Sequence, residues 1–302
     1  MTTVDVSVVA YGSRDRIAAL LPRLHTDDDV GKVVVVDHGV DGSAAVARDE
    51  GAIVVGDPSN PGFGAGHNSG VARTDGPFVL LINPDLVPET GVLAEATDFM
   101  EQHPTAGAVQ GVILSESDGA PERSAGRALG PIHLWGRLLH LRSLLRLSVV
   151  RAVVRRSPQL ADHVDRTSNF PREVESLAAT MILLRRKAFD EIGGFDSSYF
   201  LYGEDLDLCA RLRDAGWSLW SLPSIWATHA SGESSGTTWD RELVWWEGTM
   251  RFASLWWSTG AWLGGLVAAV LRAGSLAVRR PSRAVEVMRR LVAAPVRARR
   301  LR

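Results

Sequence analysis

Four short apolar runs set the strongest limit on what this chain can fold into. They are VDVSVVAY (4–11), KVVVVD (32–37), AIVVGD (52–57) and FVLLINPD (78–85), all rich in β-branched or aliphatic residues. The runs are continuous rather than alternating, so both faces of each strand must be covered. Helical stretches separate them: RDRIAALLPRLH, GSAAVARDEG and GFGAGHNSGVART. That repetition implies a parallel sheet with helices on both faces. Ligands of such sheets bind beyond the carboxyl ends of the strands. Asp37 and Asp85 stand at two of those ends.

Further along, PETGVLAEATDFMEQH reads as a helix opened by Pro88 and Glu89, and AVQGVIL (108–114) as a strand. Residues 115–130 read as a loop, 131–156 as a basic apolar helix and 157–172 as a polar loop. ESLAATMILLRR (175–186) reads as a core strand, and 187–219 as helix, turn, loop, helix and strand. One cysteine, Cys209, excludes an intrachain disulfide and a multi-cysteine zinc site, and suits a reducing compartment. The N-terminus MTTVDVSVVAYG reads as a strand, not a signal peptide. The net charge of -2 hides an asymmetry: residues 251–302 hold eleven Arg against one Glu, and residues 131–156 hold six Arg and no acid. Basic segments this apolar suit an anionic lipid surface or a phosphate-bearing partner better than nucleic acid.

Several residues can carry chemistry, each with a plainer structural use. Asp85 in INPD can hold a divalent cation against a diphosphate, or cap the helix expected after Pro88. Asp37 can accept the imide N–H of a uracil or thymine ring, or close a loop. The glycines of NPGFGAGHNSG (60–70) can admit a ligand close to the backbone or simply shape a turn. Their spacing matches neither a Walker loop nor a GxGxxG fingerprint. In GEDLDLCARL (203–212), Glu204, Asp205 and Asp207 suit the first turn of a helix by charge alone, yet Glu204 or Asp205 can face a cleft as general base. His229 ends IWATH and can either complete a metal site with Asp85 or be a surface histidine.

The order of these strings, from VVAYGS through VVVVD, NPGFGAGHNSGV, LLINPD, LLRRKAFDEIGGFD and FLYGEDLDLCARLRDAGW to His229, resembles the inverting GT-A glycosyltransferases of family 2. It looks most like the rhamnosyltransferase-type members that extend lipid-linked cell-envelope glycans, over residues 4–232. The resemblance implies an α/β GT-A fold: a Rossmann-like nucleotide-binding mixed sheet flanked by helices, with a C-terminal helical membrane-associating appendage. The GT-A domain would span 1–232, with 1–114 the nucleotide-sugar half, 115–172 a loop and basic helical insertion, and 173–232 the acceptor half; 233–302 would be the appendage. Asp37 would bind the base, with Tyr11 nearby. Asn60, Gly62 and Asn68 would line the nucleotide pocket. Asn83 and Asp85 belong to a shortened DxD-type motif, in which Asp85 and His229 would hold Mg²⁺ or Mn²⁺. Asp205 would be the catalytic base with Glu204 beside it, and Arg211 would contact the diphosphate or brace the acids. One departure stands out: VDHGVDGS is a residue shorter than the family pattern, and His38 replaces an Asn.

The resemblance implies a dTDP- or UDP-linked donor, with L-rhamnose from dTDP-rhamnose favoured over a UDP-hexose or UDP-galactofuranose, and a glycan or polyprenyl-linked acceptor. A sugar-nucleotidyltransferase is the competing enzyme class, but YGSRDR lacks the glycine-rich basic loop that chemistry wants. A sugar-binding scaffold without activity is the non-enzymatic alternative. Phe252–Leu271 is a 20-residue run without charge, flanked by Arg251 and Arg272. It just reaches spanning length, but crossing once would export an arginine-rich tail. An interfacial or re-entrant helix pair keeps both flanks inside, with an amphipathic stripe at 282–296. The expected location is the cytoplasmic face of the plasma membrane. Packing into a homodimer is the competing use of the same apolar surface.

Overall fold

A computed structural model describes residues 2–39, 41–122, 124–138, 168–230, 238–279, 285–286 and 289. Most of the basic stretch 131–156 and the stripe at 282–296 lie outside the described residues. The chain divides into two compact units. The first comprises Met1–Arg127, Arg166–Phe200 and Asp207–Ser235; the second comprises Ala128–Asp165, Leu201–Leu206 and Gly236–Arg302.

The first unit is built on a mixed sheet. The four opening runs form β1 (Val4–Ala10), β2 (Val30–Asp37), β3 (Ile53–Gly56) and β4 (Phe78–Ile82). They pair in parallel in the order β3-β2-β1-β4, with α1 (Arg14–His25), α2 (Ser43–Asp49) and α3 (Phe63–Val71) as the crossovers. After α4 (Val92–Gln102) and β6 (Ala106–Ser115) the pattern changes. Strand β10 (Met181–Arg185) inserts antiparallel between β4 and β6 and runs into α6 (Arg186–Glu191). Beyond β6 lies β11 (Ser218–His229), parallel to it, and β11 pairs antiparallel with β5 (Leu86–Pro88) and β8 (Arg172–Val174). Residues 125–126 (β7) and 176–177 (β9) form a small separate ladder.

Alternate residues of the central strands feed two apolar layers. Leu80, Ile82, Met181 and Leu183 join one cluster, while Val79, Leu81, Ile182 and Leu184 join the other with Leu208, Cys209 and Leu212. This is the pattern that unbroken apolar runs demand. The core strand expected over 175–186 is shorter than that run, because Ala178–Thr180 turns between β9 and β10. Helix α4 also starts later than expected: Pro88 closes β5 and Gly91, in the left-handed region, precedes Val92. Asp85 therefore lies seven residues upstream of Val92 and does not cap that helix.

Gly111 locks β6 to β11. A side chain there would run into the ring of Trp226, which is completely buried. The contact holds in place the strand that ends in His229.

The second unit contains α5 (Pro131–Leu138), α8 (Thr238–Trp256) and α9 (Thr259–Arg279). Leu134, Leu243, Trp246, Met250, Ala268 and Ala269 form its core. The uncharged run 252–271 is not one helix, contrary to what its composition suggests. It breaks at Trp257-Ser258, where the Ser258 hydroxyl accepts the Ala261 amide and so caps the start of α9. No helix among the described residues is long and apolar enough to cross a membrane.

Candidate active site

Strand pairing brings Asp85 and His229 together. His229 pairs with Leu86 across the β5–β11 ladder, and Ala230 N–H donates to the Asp85 carbonyl at 2.9 Å. Asp85 Oδ2 then lies 3.3 Å from His229 Nε2 and 3.6 Å from the guanidinium of Arg16 on α1. The other carboxylate oxygen, Oδ1, is buried without a hydrogen-bond partner, as is Asn83 Oδ1 two residues earlier. On the far side of the ring, His229 Nδ1 lies 3.0 Å from both carboxylate oxygens of Glu122.

The charges follow from this geometry. Burial alone would push the Asp85 carboxyl up, but the His229 hydrogen bond and the charges of His229 and Arg16 outweigh it and hold it below the usual range. The His229 imidazole is pushed up to about 9, first by Asp85 and then, against the opposing effect of burial, by Glu122. Metal-free, the ring is an imidazolium between two acids.

Among the described residues no group of three or more His, Cys, Asp or Glu is arranged to hold a metal alone. Asp85 and His229 nonetheless fit one side of a divalent-cation site. The two donors converge, one carboxylate oxygen has no partner, and a carboxylate–imidazole pair leaves coordination positions for a ligand's oxygens.

The nucleotide-side residues divide into two sets. Asp37 is buried beside Ala10 at the ends of β2 and β1, and its Oδ1 accepts the Gly39 amide at 3.0 Å, closing the turn. Tyr11 is exposed at the same edge. Asn60 sits in the left-handed region with φ 45°. His38, the departure from the family pattern, turns inward: its Nδ1 lies 2.7 Å from the Asp57 carbonyl and its Nε2 packs over Gly66.

Three positions have protein partners where the resemblance implied ligand. The Asn68 amide is committed at both ends to the main chain of Phe195, at 2.9 and 2.8 Å, and so clamps the Gly193–Phe195 turn. A side chain at Gly62 would strike the main chain of Phe200, whose carbonyl accepts the Phe63 amide at 2.9 Å. Arg211 binds Asp207 at 2.7 Å and the carbonyls of Ile192 and Gly194 at 3.0 and 2.6 Å.

Helix α7 (Glu204–Asp214) begins with the acidic pair, which groups with the second unit. Glu204 is almost wholly buried, and its carboxyl is pushed up to about 8 by burial and then by the neighbouring Asp205. Both influences favour its protonated form. Asp205 is half-buried, and its Oδ1 accepts the Leu206 amide at 2.8 Å. In the same unit, Gly248 of α8 lies directly against the Tyr202 carbonyl, so a side chain there would displace the backbone that leads into the acids.

A parallel sheet extended by antiparallel strands, with an acid–histidine pair at its carboxyl edge, defines the chain as a GT-A type α/β protein. The model of the family described as "Glycosyltransferase like family 2" matches residues 4–248, and the chain belongs to that family. It is an enzyme of the glycosyltransferase type, not a nucleotidyltransferase. Among curated proteins it is 28% identical over 254 residues to an N-acetylglucosaminyl-diphospho-decaprenol L-rhamnosyltransferase of Mycobacterium tuberculosis, covering 73% of this chain and 78% of that one. It is 24% identical over 251 residues to the rhamnosyltransferase WbbL of Escherichia coli K12, covering 80% and 89%. Among solved structures, GalNAc-T7 with UDP, GalNAc and Mn²⁺ shares the fold with a TM-score of 0.59 at 12% identity, over 86% of this chain and 49% of that one. The mannosyltransferase PcManGT of Pyrobaculum calidifontis, in complex with GDP-Man and Mn²⁺, gives 0.53 at 16% identity, over 99% and 87%.

Proposed function

We propose that the protein is a metal-dependent, inverting glycosyltransferase that moves L-rhamnose from dTDP-rhamnose to a hydroxyl of a glycan or polyprenyl-linked acceptor. The observation that carries the metal-dependent reading is the Asp85–His229 pair, 3.3 Å apart with a bare carboxylate oxygen at the edge where such sheets bind nucleotides. Both curated relatives quoted above bear rhamnosyltransferase names, which supports the choice of sugar. The two solved relatives were captured with Mn²⁺, which supports a divalent cofactor, Mg²⁺ or Mn²⁺.

In this reading Asp85 and His229 hold the cation and Asp37 accepts from the base. The bound cation supplies positive charge against the departing nucleoside diphosphate. Asp205 takes the proton of the acceptor hydroxyl as that oxygen bonds to the anomeric carbon. The bond from that carbon to the diphosphate oxygen breaks on the opposite face, so the centre inverts. The 1–232 catalytic region and the 233–302 appendage remain the proposed division of labour.

A thermal-shift screen of nucleotide sugars with and without Mn²⁺ tests the donor. dTDP-rhamnose should raise the melting temperature most, and far more with the metal than without it, by mass action. A larger shift with a UDP-hexose or UDP-galactofuranose would overturn the sugar assignment.

The appendage fits an anionic lipid surface at the cytoplasmic face of the plasma membrane. Leu263, Val267, Val270, Leu271 and Val278 are all exposed along one side of α9. Arg272 is instead buried and paired with Glu242, which leaves that side without charge. The sequence from Arg272 to Arg302 carries ten Arg and one Glu, the complement of acidic headgroups. The full chain should float with vesicles containing phosphatidylglycerol, and the double variant Val267→Asp, Leu271→Asp should not. Equal flotation of both, or a dimer that this variant splits, would reject the lipid assignment.

A further inference from the structure

We infer that Glu122 is a positioning residue for the cation site: it holds the His229 ring so that Nε2, and not Nδ1, faces Asp85. The inference rests on the reading of Asp85 and His229 as cation ligands.

Glu122 reaches His229 through a built return of the chain. Ser115 lies across from His229 in the β6–β11 ladder, and Glu116 N–H donates to the His229 carbonyl at 3.1 Å. The chain then reverses. Gly119, in the left-handed region, donates to the Ser115 carbonyl at 2.8 Å, and Ser115 N–H donates to Ala120 at 2.9 Å. Pro121 bridges Leu114, and Glu122 N–H donates to the Ile113 carbonyl at 2.7 Å. The returning segment is thus tied to the strand beside β11. Its carboxylate meets Nδ1 with both oxygens at 3.0 Å, while Nε2 is 3.3 Å from Asp85.

An imidazole can donate a lone pair from only one nitrogen in each neutral tautomer, and the hydrogen bond at the other nitrogen selects which. A carboxylate on Nδ1 keeps the proton there, leaves the Nε2 lone pair toward Asp85 and stops the ring from turning. Carboxylate partners of metal-binding histidines act this way, and removing them weakens metal binding about 10–100-fold. A merely structural ion pair would stabilise the turn without affecting the ion.

Mn²⁺ titration of the full chain, in the presence of dTDP or UDP, separates these uses. Glu122→Ala should weaken Mn²⁺ about 10–100-fold. Glu122→Gln, which can accept the same bond through its amide oxygen, should lose less. The double variant Glu122→Ala, His229→Ala should bind no more weakly than His229→Ala alone, because Glu122 acts through the ring. In metal-free Glu122→Ala at high pH, ¹⁵N spectra should show the neutral ring shifted toward the Nε2–H tautomer. If Asp85→Asn and His229→Ala lose Mn²⁺ while Glu122→Ala binds like the wild type, the positioning role falls and the cation site stands. Additive losses in the double variant would instead make Glu122 a direct ligand and also overturn positioning. If Asp85→Asn and His229→Ala bind Mn²⁺ unchanged, both readings fall.

Discussion

Asp205→Asn should lower the rate of sugar transfer by roughly 10²–10⁴-fold, the usual contribution of a positioned general base. The substitution preserves volume and retains an oxygen that can accept the Leu206 amide, so the start of α7 should persist. It removes only the ability to take a proton. Nucleotide-sugar affinity should therefore be unchanged, and the loss should appear in kcat. The neighbouring acid does not offer a substitute. Glu204 is buried, and burial together with the neighbouring Asp205 favours its protonated form, which has no free carboxylate to take a proton. Of the two adjacent acids, Asp205 is thus the one assigned to accept the acceptor's proton. Single-turnover transfer combined with donor titration makes the check. Full turnover by Asp205→Asn would remove it from the base role, and a matched loss of donor affinity would make it a binding residue instead.

The strands were legible in the sequence because burial on two faces leaves a local mark, an unbroken apolar run. Asp37, Asp85 and His229 were legible because each ends such a run or the string IWATH. What the sequence concealed depends on pairing between distant segments. Glu122 lies 107 residues from His229 in a polar stretch that reads as plain loop. Only the parallel pairing of β6 with β11 and the turn at Gly119 bring them together. Arg16 reads as an ordinary helix residue until α1 places it beside Asp85. The glycine-rich string is ambiguous in another way. Glycine permits close approach by any group, and Gly62 meets Phe200 while Gly66 meets His38 and Val9. Asn68 and Arg211 show the same limit, since a polar side chain carries no local sign of whether a backbone carbonyl or a ligand will claim it. In the appendage, composition gave apolar length but not continuity. The break at Ser258 turns one apparent span into parts of two helices, and α8 contributes Gly248 against the backbone before Glu204.

Asp85→Ala should abolish the Mn²⁺-dependent part of the stabilisation by nucleotide. At a free ligand concentration 100 times Kd, binding adds about 2.7 kcal/mol of stability to the wild type. For a chain of this size that corresponds to roughly 4 °C in melting temperature. The expectation follows from what the carboxylate does locally. Its Oδ2 faces His229 and Arg16, while Oδ1 is buried and unpartnered, a costly arrangement for an ordinary structural aspartate. A cation bound there would satisfy the bare oxygen. Without the carboxylate, the groups that faced Oδ2 are an imidazole and a guanidinium, at 3.3 and 3.6 Å from where it stood, and His229 alone of the pair is left to hold the cation. Nucleotide added alone should still shift the variant slightly through the proposed contact of its base with Asp37, which does not involve Asp85. Arg16→Ala separates metal binding from simple charge balance: it removes a positive neighbour of Asp85, so Mn²⁺ should bind at least as well as in the wild type. An Asp85→Ala protein that Mn²⁺ stabilises as strongly as the wild type would place the cation elsewhere and leave the buried acid without a role.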